Sequence, residues 1–186
     1  MSALPKFEFQ VGENWQLHQF PKVFVREQTK GPARLKIAAS ERGSDILLQL
    51  AAVLGESFAL LYVLVVPRGG SAEGRYQSPW LGREQMAEMF GKFADYWDQD
   101  GRHHVWLFSQ SDRATLVYDQ HNVIFAYGPL EDYVRLLEAS GFAEARALPF
   151  PAPHTHCYHP TFDPLERELT SLPNWQHSPL REGDAW

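Results

Sequence analysis

The chain has 186 residues, 44% of them hydrophobic and 22% charged, which is too apolar for disorder and enough to close a core without staples. Seventeen basic residues against 23 acidic ones give a net charge of −6 with histidine neutral. That balance argues against nucleic acid or an anionic membrane as a principal partner, because both require concentrated positive charge.

The opening residues, Met1 to Lys6, carry no long apolar segment, so no secretory leader is expected. Alternation then predicts strands: Phe7, Phe9 and Val11 share one face, a turn falls at Gly12-Glu13, and Trp15 and Leu17 follow. Residues 23–28 and 33–39 flank Thr29-Lys30-Gly31-Pro32 and read as a hairpin with one wet face. Ser44 is placed to cap a helix over 45–54, nearly apolar all round and stopped by Gly55. The continuous run Phe58 to Val66 predicts a central strand covered on both faces. The whole apolar stretch over 46–66 is interrupted by Gly55, Glu56 and Ser57, so helix and strand together make a poor membrane span.

Composition changes abruptly over 67–82, PRGGSAEGRYQSPWLG, which reads as one long internal loop. A helix over 83–98 follows, with Met86, Met89, Phe90, Phe93 and Trp97 on one stripe. Three short strands at 103–109, 113–118 and 122–128 are separated by Gln110-Ser111-Asp112 and Asp119-Gln120-His121, so antiparallel neighbours are expected. Pro129 opens a helix over 130–140. Pro149, Pro151 and Pro153 remove donors from one edge only, so 148–158 reads as a sheet edge or an extended surface strip. Residues 160–186 look irregular apart from a short helix at 163–171. The expected fold is a single α+β domain over 1–186, with a largely antiparallel mixed sheet and about three main helices.

Two segments could carry chemistry. In an extended strand His154 and His156 share a face, with α-carbons about 6.6 Å apart. Two imidazoles so placed can converge on a transition metal, with His159 or Cys157 joining through a bend. A third ligand must come from elsewhere, and His103, His104, His121 and several acids are available. Cys157 is read as a small buried residue rather than a nucleophile, and as the only cysteine it excludes an intrachain disulfide and suits a reducing, cytoplasmic compartment.

The second segment is the 67–82 loop, where Arg68, Arg75 and Arg83 surround three glycines beside Tyr76 and Trp80. Guanidinium groups there could clasp a carboxylate or phosphate, with Arg68, Arg75, Tyr76 and Trp80 as contacts, although no Walker or G-x-G-x-x-G spacing is present. The acids Asp95, Asp98 and Asp100 read as a solvated helix face. Twelve Arg against five Lys suit a GC-rich bacterial genome.

Three functional classes follow. Acidity, abundant aromatics and the absence of catalytic signatures lead to a non-enzymatic protein-binding or regulatory domain, with a protein partner and no cofactor. A small-molecule or anion-binding domain would use the 67–82 loop and a small anionic ligand. A histidine-dependent, metal-assisted enzyme would use the 154–159 cluster, with a transition metal as its cofactor.

Overall fold

The computed structural model describes residues 4–39 and 42–184. The chain begins with two strands, β1 (Phe7–Val11) and β2 (Asn14–Leu17), then β3 (Val23–Glu27), β4 (Arg34–Ala38) and helix α1 (Gly43–Ala51). Next come β5 (Ser57–Leu64), β6 (Gly74–Gln77), β7 (Leu81–Gly82) and the long helix α2 (Arg83–Gln99). After it run β8 (His103–Ser109), β9 (Ala114–Tyr118), β10 (Val123–Tyr127), α3 (Leu130–Ala139), β11 (Ala143–Glu144) and β12 (His154–His156). A 3₁₀ turn at Pro160–Phe162 leads into α4 (Asp163–Thr170), and β13 (Gln176–Ser178) closes the chain.

The strands make two sheets. The large one has the order β11-β3-β4-β10-β9-β8-β5-β6-β13, with β7 also on β5, and among the described residues only the β11–β3 pair is parallel. The small one has the order β12-β1-β2 and is antiparallel throughout. This is the expected α+β fold with a largely antiparallel mixed sheet.

Strand alternation divides the large sheet into two faces. Leu35, Leu60, Leu107, Leu116 and Ala126 point to one side, fully buried with Phe90, Phe93 and Trp97 of α2 and Leu47 and Leu50 of α1. That core takes residues from both sides of 67–82. The other face carries a smaller cluster in which Phe7 and Phe20 meet Ala38, Val117, Val123 and Phe125. Thus β1, at the centre of the small sheet, is fastened by Phe7 to strands β4, β10 and β9 of the large sheet. No helix among the described residues is long and apolar enough to cross a membrane.

Four local expectations need correction. Residues 67–82 are not all loop: Gly74–Gln77 pairs with β5 on one side and β13 on the other. A Cβ at Gly74 (φ +146°) would lie 2.4 Å from Nε2 of His177 and 2.7 Å from the Ser178 carbonyl oxygen, so the glycine permits close strand approach rather than mobility. The tail after 160 correspondingly contains a strand as well as the short helix. Ser44 lies inside α1 and donates from N and Oγ to Asp98 of α2, at 2.9 and 2.5 Å, instead of capping its own helix. Asp98 and Asp100 do not form a solvated face, since Asp100 is fully buried against Arg102 at 2.8 Å.

Candidate metal centre

The turn between β9 and β10 is built around one carboxylate. Oδ1 of Asp119 accepts the backbone N–H groups of His121 and Val123, both at 2.9 Å, and the Asp119 N–H returns to the Val123 carbonyl at 3.0 Å. Asn122 takes the left-handed conformation (φ +57°) that Asn tolerates at a tight turn, and its Oδ1 accepts from the Tyr118 hydroxyl. Buried Lys6 donates from Nζ to the Asp119 carbonyl at 2.7 Å. Burial pushes the Lys6 ammonium down to about 8, while Asp119, Asp98 and Asp100 oppose that shift.

Oδ2 of Asp119 lies 3.0 Å from Nδ1 of His121. A carboxylate is only an acceptor, so Nδ1 is the donor in this contact and Nε2 is the nitrogen that a metal would take. Burial pushes the Asp119 carboxyl up, but hydrogen bonds from His121 and Val123 and the nearby imidazoles outweigh it and hold the group below the usual carboxylate range.

The opposing wall is β12. It pairs with β1 in the register Phe7 to His156 and Phe9 to His154, which sends both histidines to one face as the two-residue period requires. The ring centroids of His121, His154 and His156 lie 5.1, 4.8 and 5.4 Å apart. One ligand nitrogen from each falls within 4.8 Å of the other two, and all three residues are half-buried. A tetrahedral ion with bonds near 2.0–2.1 Å needs nitrogens about 3.3 Å apart, so binding would draw the three rings together. Nε2 of His156 is buried without a hydrogen-bond partner. Burial, with His121 and His154 adding to it, pushes His156 down to about 4. Burial and His121 lower His154 as well. These two are therefore held as neutral bases, the form that binds a metal.

Aromatic rings form a collar around this trio. Phe150 meets His154 at 5.0 Å and His121 at 5.1 Å and stacks on Phe7 at 6.0 Å, while Phe20 closes behind it at 6.2 Å. Phe7 and Phe20 are buried, whereas Phe150 is 39% exposed.

The sequence expectations divide here. His154 and His156 do come together, but the third imidazole is His121, which spacing could name only as one of several choices. His159 is turned away: its Nε2 donates to the Pro5 carbonyl at 2.8 Å and its N–H to Asp100. His103 lies in the core between Tyr62 and Tyr96, and His104 is also buried, outside the cluster. Cys157 is pushed up to about 11 by burial and by Glu8, so it is held as a thiol.

The 67–82 segment does build an anion cradle, and the chain fills it itself. The N–H groups of Arg68, Gly69 and Ser71 point at Glu166 of α4, at 3.1, 2.7 and 3.3 Å, and Arg102 donates to the same carboxylate at 2.7 Å. Arg68 pairs with Asp163 at 3.3 Å, Arg75 with buried Asp184 at 3.5 Å, and Arg83 with Glu56 at 3.3 Å. Tyr76 is buried and donates to the Ala72 carbonyl, while Trp80 is half exposed beside Phe108. Charges read as waiting for a ligand are engaged within the fold.

No protein-family model matches this chain, and comparisons with curated proteins and with solved structures also return no match.

Proposed function

We propose that this protein is a metal-dependent enzyme whose centre is a transition ion, zinc before others, held by His121, His154 and His156. The observation that carries the proposal is the convergence of three imidazoles from two distant segments, one of them oriented by a buried carboxylate. A metal-bound histidine commonly hands its second ring N–H to such a carboxylate, which fixes the tautomer and raises ligand basicity. Imidazole suits zinc, copper, iron and nickel, and three protein ligands leave a position for water or substrate, the pattern of catalytic rather than structural sites.

Three neutral ligands leave the charge of a divalent ion uncompensated except by Asp119 behind His121. Such an ion, held by these three histidines, would acidify a bound water toward neutrality and so supply a nucleophile for hydrolysis or hydration. The Phe7, Phe20 and Phe150 collar lowers the local dielectric and strengthens that effect. A bacterial, cytoplasmic setting belongs to the same proposal, from the cysteine count and the arginine bias.

The protein-binding reading keeps one specific support. β2 is a sheet edge with all four residues exposed, and it carries Trp15 and Leu17 into solvent.

Metal analysis of untagged protein after zinc or cobalt loading and desalting tests the metal reading. One equivalent per chain is expected, with visible cobalt bands of a four-coordinate site, and His121→Ala should abolish both. Retention of metal by His121→Ala, or no retention by the wild type, would count against the centre. Hydrolysis of 4-nitrophenyl acetate by the loaded protein, absent from the apoprotein, tests the enzymatic step separately.

A further inference from the structure

The outer face of the large sheet, on which Phe7 docks, bears a second concave site next to that contact. Strand pairing lines up its residues in two rows. Tyr127 faces Thr115, which faces Phe108, which faces Ala59. Beside them Phe125 faces Val117, which faces Trp106, which faces Leu61. At the β4–β10 end these rows border a cavity of about 650 Å³ with Trp106, Phe125 and Tyr127 in its walls and Arg34 and Arg113 among its lining residues. A second hollow shares Trp106 and Thr115 with it and continues over Ala59, Leu61 and Phe108. The volume falls within the range of small-molecule sites, about 300–1,000 Å³.

The cavity is lined by two arginines, Arg34 and Arg113. None of the described residues lining it is acidic, in a chain whose net charge is −6. The Arg34 guanidinium lies 4.4 Å above the Phe125 ring and is fixed by Glu27 at 2.5 Å and by the Tyr127 hydroxyl at 2.7 Å. Arg113 is exposed in the β8–β9 turn and has no ion-pair partner among the described residues. Its backbone is left-handed (φ +48°), a conformation that Gly or Asn adopts at lower cost. The turn geometry thus leaves a side chain here that local preference does not select.

We propose that this cavity binds a small aromatic monocarboxylate, with the ring between Trp106 and Phe125 and the carboxylate on Arg113. An arginine fork matches a carboxylate in a bidentate pair, and flat rings stack on indole and phenyl walls. Glu27 balances Arg34, while Arg113 and Lys36, whose Nζ lies 5.8 Å from the Phe125 ring, have no ion-pair partner among the described residues, so the cavity carries a positive surplus that an anionic ligand offsets. The site is separate from the histidine centre and does not depend on it.

The test titrates 3-phenylpropionate into the full chain by calorimetry and tryptophan fluorescence, beside 3-phenylpropionamide and phenyl phosphate. Saturable binding of the carboxylate is expected, with the amide and Arg113→Gln each weaker by about tenfold or more, the loss of one charge-assisted pair. Arg113→Gln alters an exposed turn residue, so its thermal midpoint should match the wild type. Trp106→Phe should remove the fluorescence response while calorimetric binding persists. Affinity should be the same in zinc-loaded and chelator-treated protein. Equal affinity for amide and carboxylate, tighter binding of phenyl phosphate, no saturable binding, or binding only when metal is present would each overturn the proposal.

Discussion

Asp119 and His121 are two residues apart, and the carboxylate of the first receives both the backbone N–H and the Nδ1–H of the second, at 2.9 and 3.0 Å. One side chain therefore sets the turn and aims the ring. Lys6 fixes the same residue from its carbonyl side, so the position of His121 is determined by groups that are themselves buried. The proposed metal site rests on this relationship more than on β12, whose histidines any extended strand would align.

Asp119→Asn should retain an oxygen for the two backbone donors, and hence the turn, while removing the negative charge behind His121. Zinc affinity should fall about 10–100-fold, the usual cost of losing an outer carboxylate. Competition with a chromogenic chelator measures it. An unchanged dissociation constant would mean that Asp119 only shapes the turn.

How much of this was legible depends on the range of the interactions. Helices α2 and α3 announce themselves through stripes such as Phe90, Phe93 and Trp97, because periodicity is local. The shared face of His154 and His156 follows from the strand period alone. His121 was invisible as the chosen ligand because three steps beyond local sequence bring it there: the β9–β10 turn, the β1–β12 pairing, and the docking of Phe7 on the outer face. The internal contacts of the 67–82 segment were hidden for a similar reason. Its glycines and arginines look ligand-seeking until Glu166, about a hundred positions later, enters the cradle. Asp-x-His in a predicted turn was the one available signal for His121, and it is a weak one.

The arginines of that segment now carry a different expectation. Arg75 faces Asp184, which is 4% exposed, and Arg68 faces Asp163. Arg75→Ala should lower the thermal midpoint, because a buried carboxylate loses its partner, and Arg68→Ala, at a more exposed pair, should lower it less. Phosphate and acetate titrations of the double variant should match the wild type. A clear loss of phosphate binding with unchanged stability would restore the ligand-binding reading of the loop.

Arg102 presents the strongest stability test. Its fully buried guanidinium binds both oxygens of Asp100 at 2.8 Å, Glu166 at 2.7 Å, Asp163 at 3.0 Å and the His159 carbonyl at 3.0 Å. Arg102→Met strands two carboxylates that have no solvent of their own. The expected cost is about 3–5 kcal/mol. At roughly 2–4 °C per kcal/mol for a chain of this size, the midpoint should drop by about 6–20 °C. A change within about 3 °C would show the network to be energetically neutral.

Acid should destabilise the metal-free protein in a defined window. His103 is held well below its ordinary value by burial, with Lys6 and Arg102 adding to it. Burial pushes His104 down to about 4 against an opposing pull from Asp119. Both stay neutral in the fold after the unfolded chain has begun to protonate them, near pH 6.5. The unfolded state then binds more protons, so stability falls as pH drops below about 6.5, and the His104 share is fully lost near pH 4. Thermal midpoints between pH 7.5 and 4 in chelator read the slope directly, with pH values chosen to span roughly that window. His103→Phe, which can pack between Tyr62 and Tyr96, should flatten it, and an unaltered slope would assign the acid sensitivity elsewhere.

A metal at the three histidines would also act as a mechanical tie. β12 has only three residues and a single neighbour, β1, while His121 belongs to a hairpin of the large sheet. An ion bridging them joins the small sheet to the large one at a further point, beyond the Phe7 contact and the Lys6 hydrogen bond to Asp119. Ligand that binds only the folded chain stabilises it by mass action, about 2.7 kcal/mol at free zinc 100 times the dissociation constant. That corresponds to a rise of about 5–11 °C in thermal midpoint. Hydrogen exchange should report where the gain falls. Amides of 119–123 and 154–157 should become more protected on zinc addition, while those of α2, remote from the centre, change only with global stability. The pattern separates a true tie from weak surface binding, which would leave local protection at both segments untouched. His156→Ala should remove the zinc-dependent rise together with the protection at 119–123, although that segment itself carries no substitution. Persistence of protection at 119–123 in this variant would show that zinc acts on the turn without β12, and the three-histidine centre would be wrong.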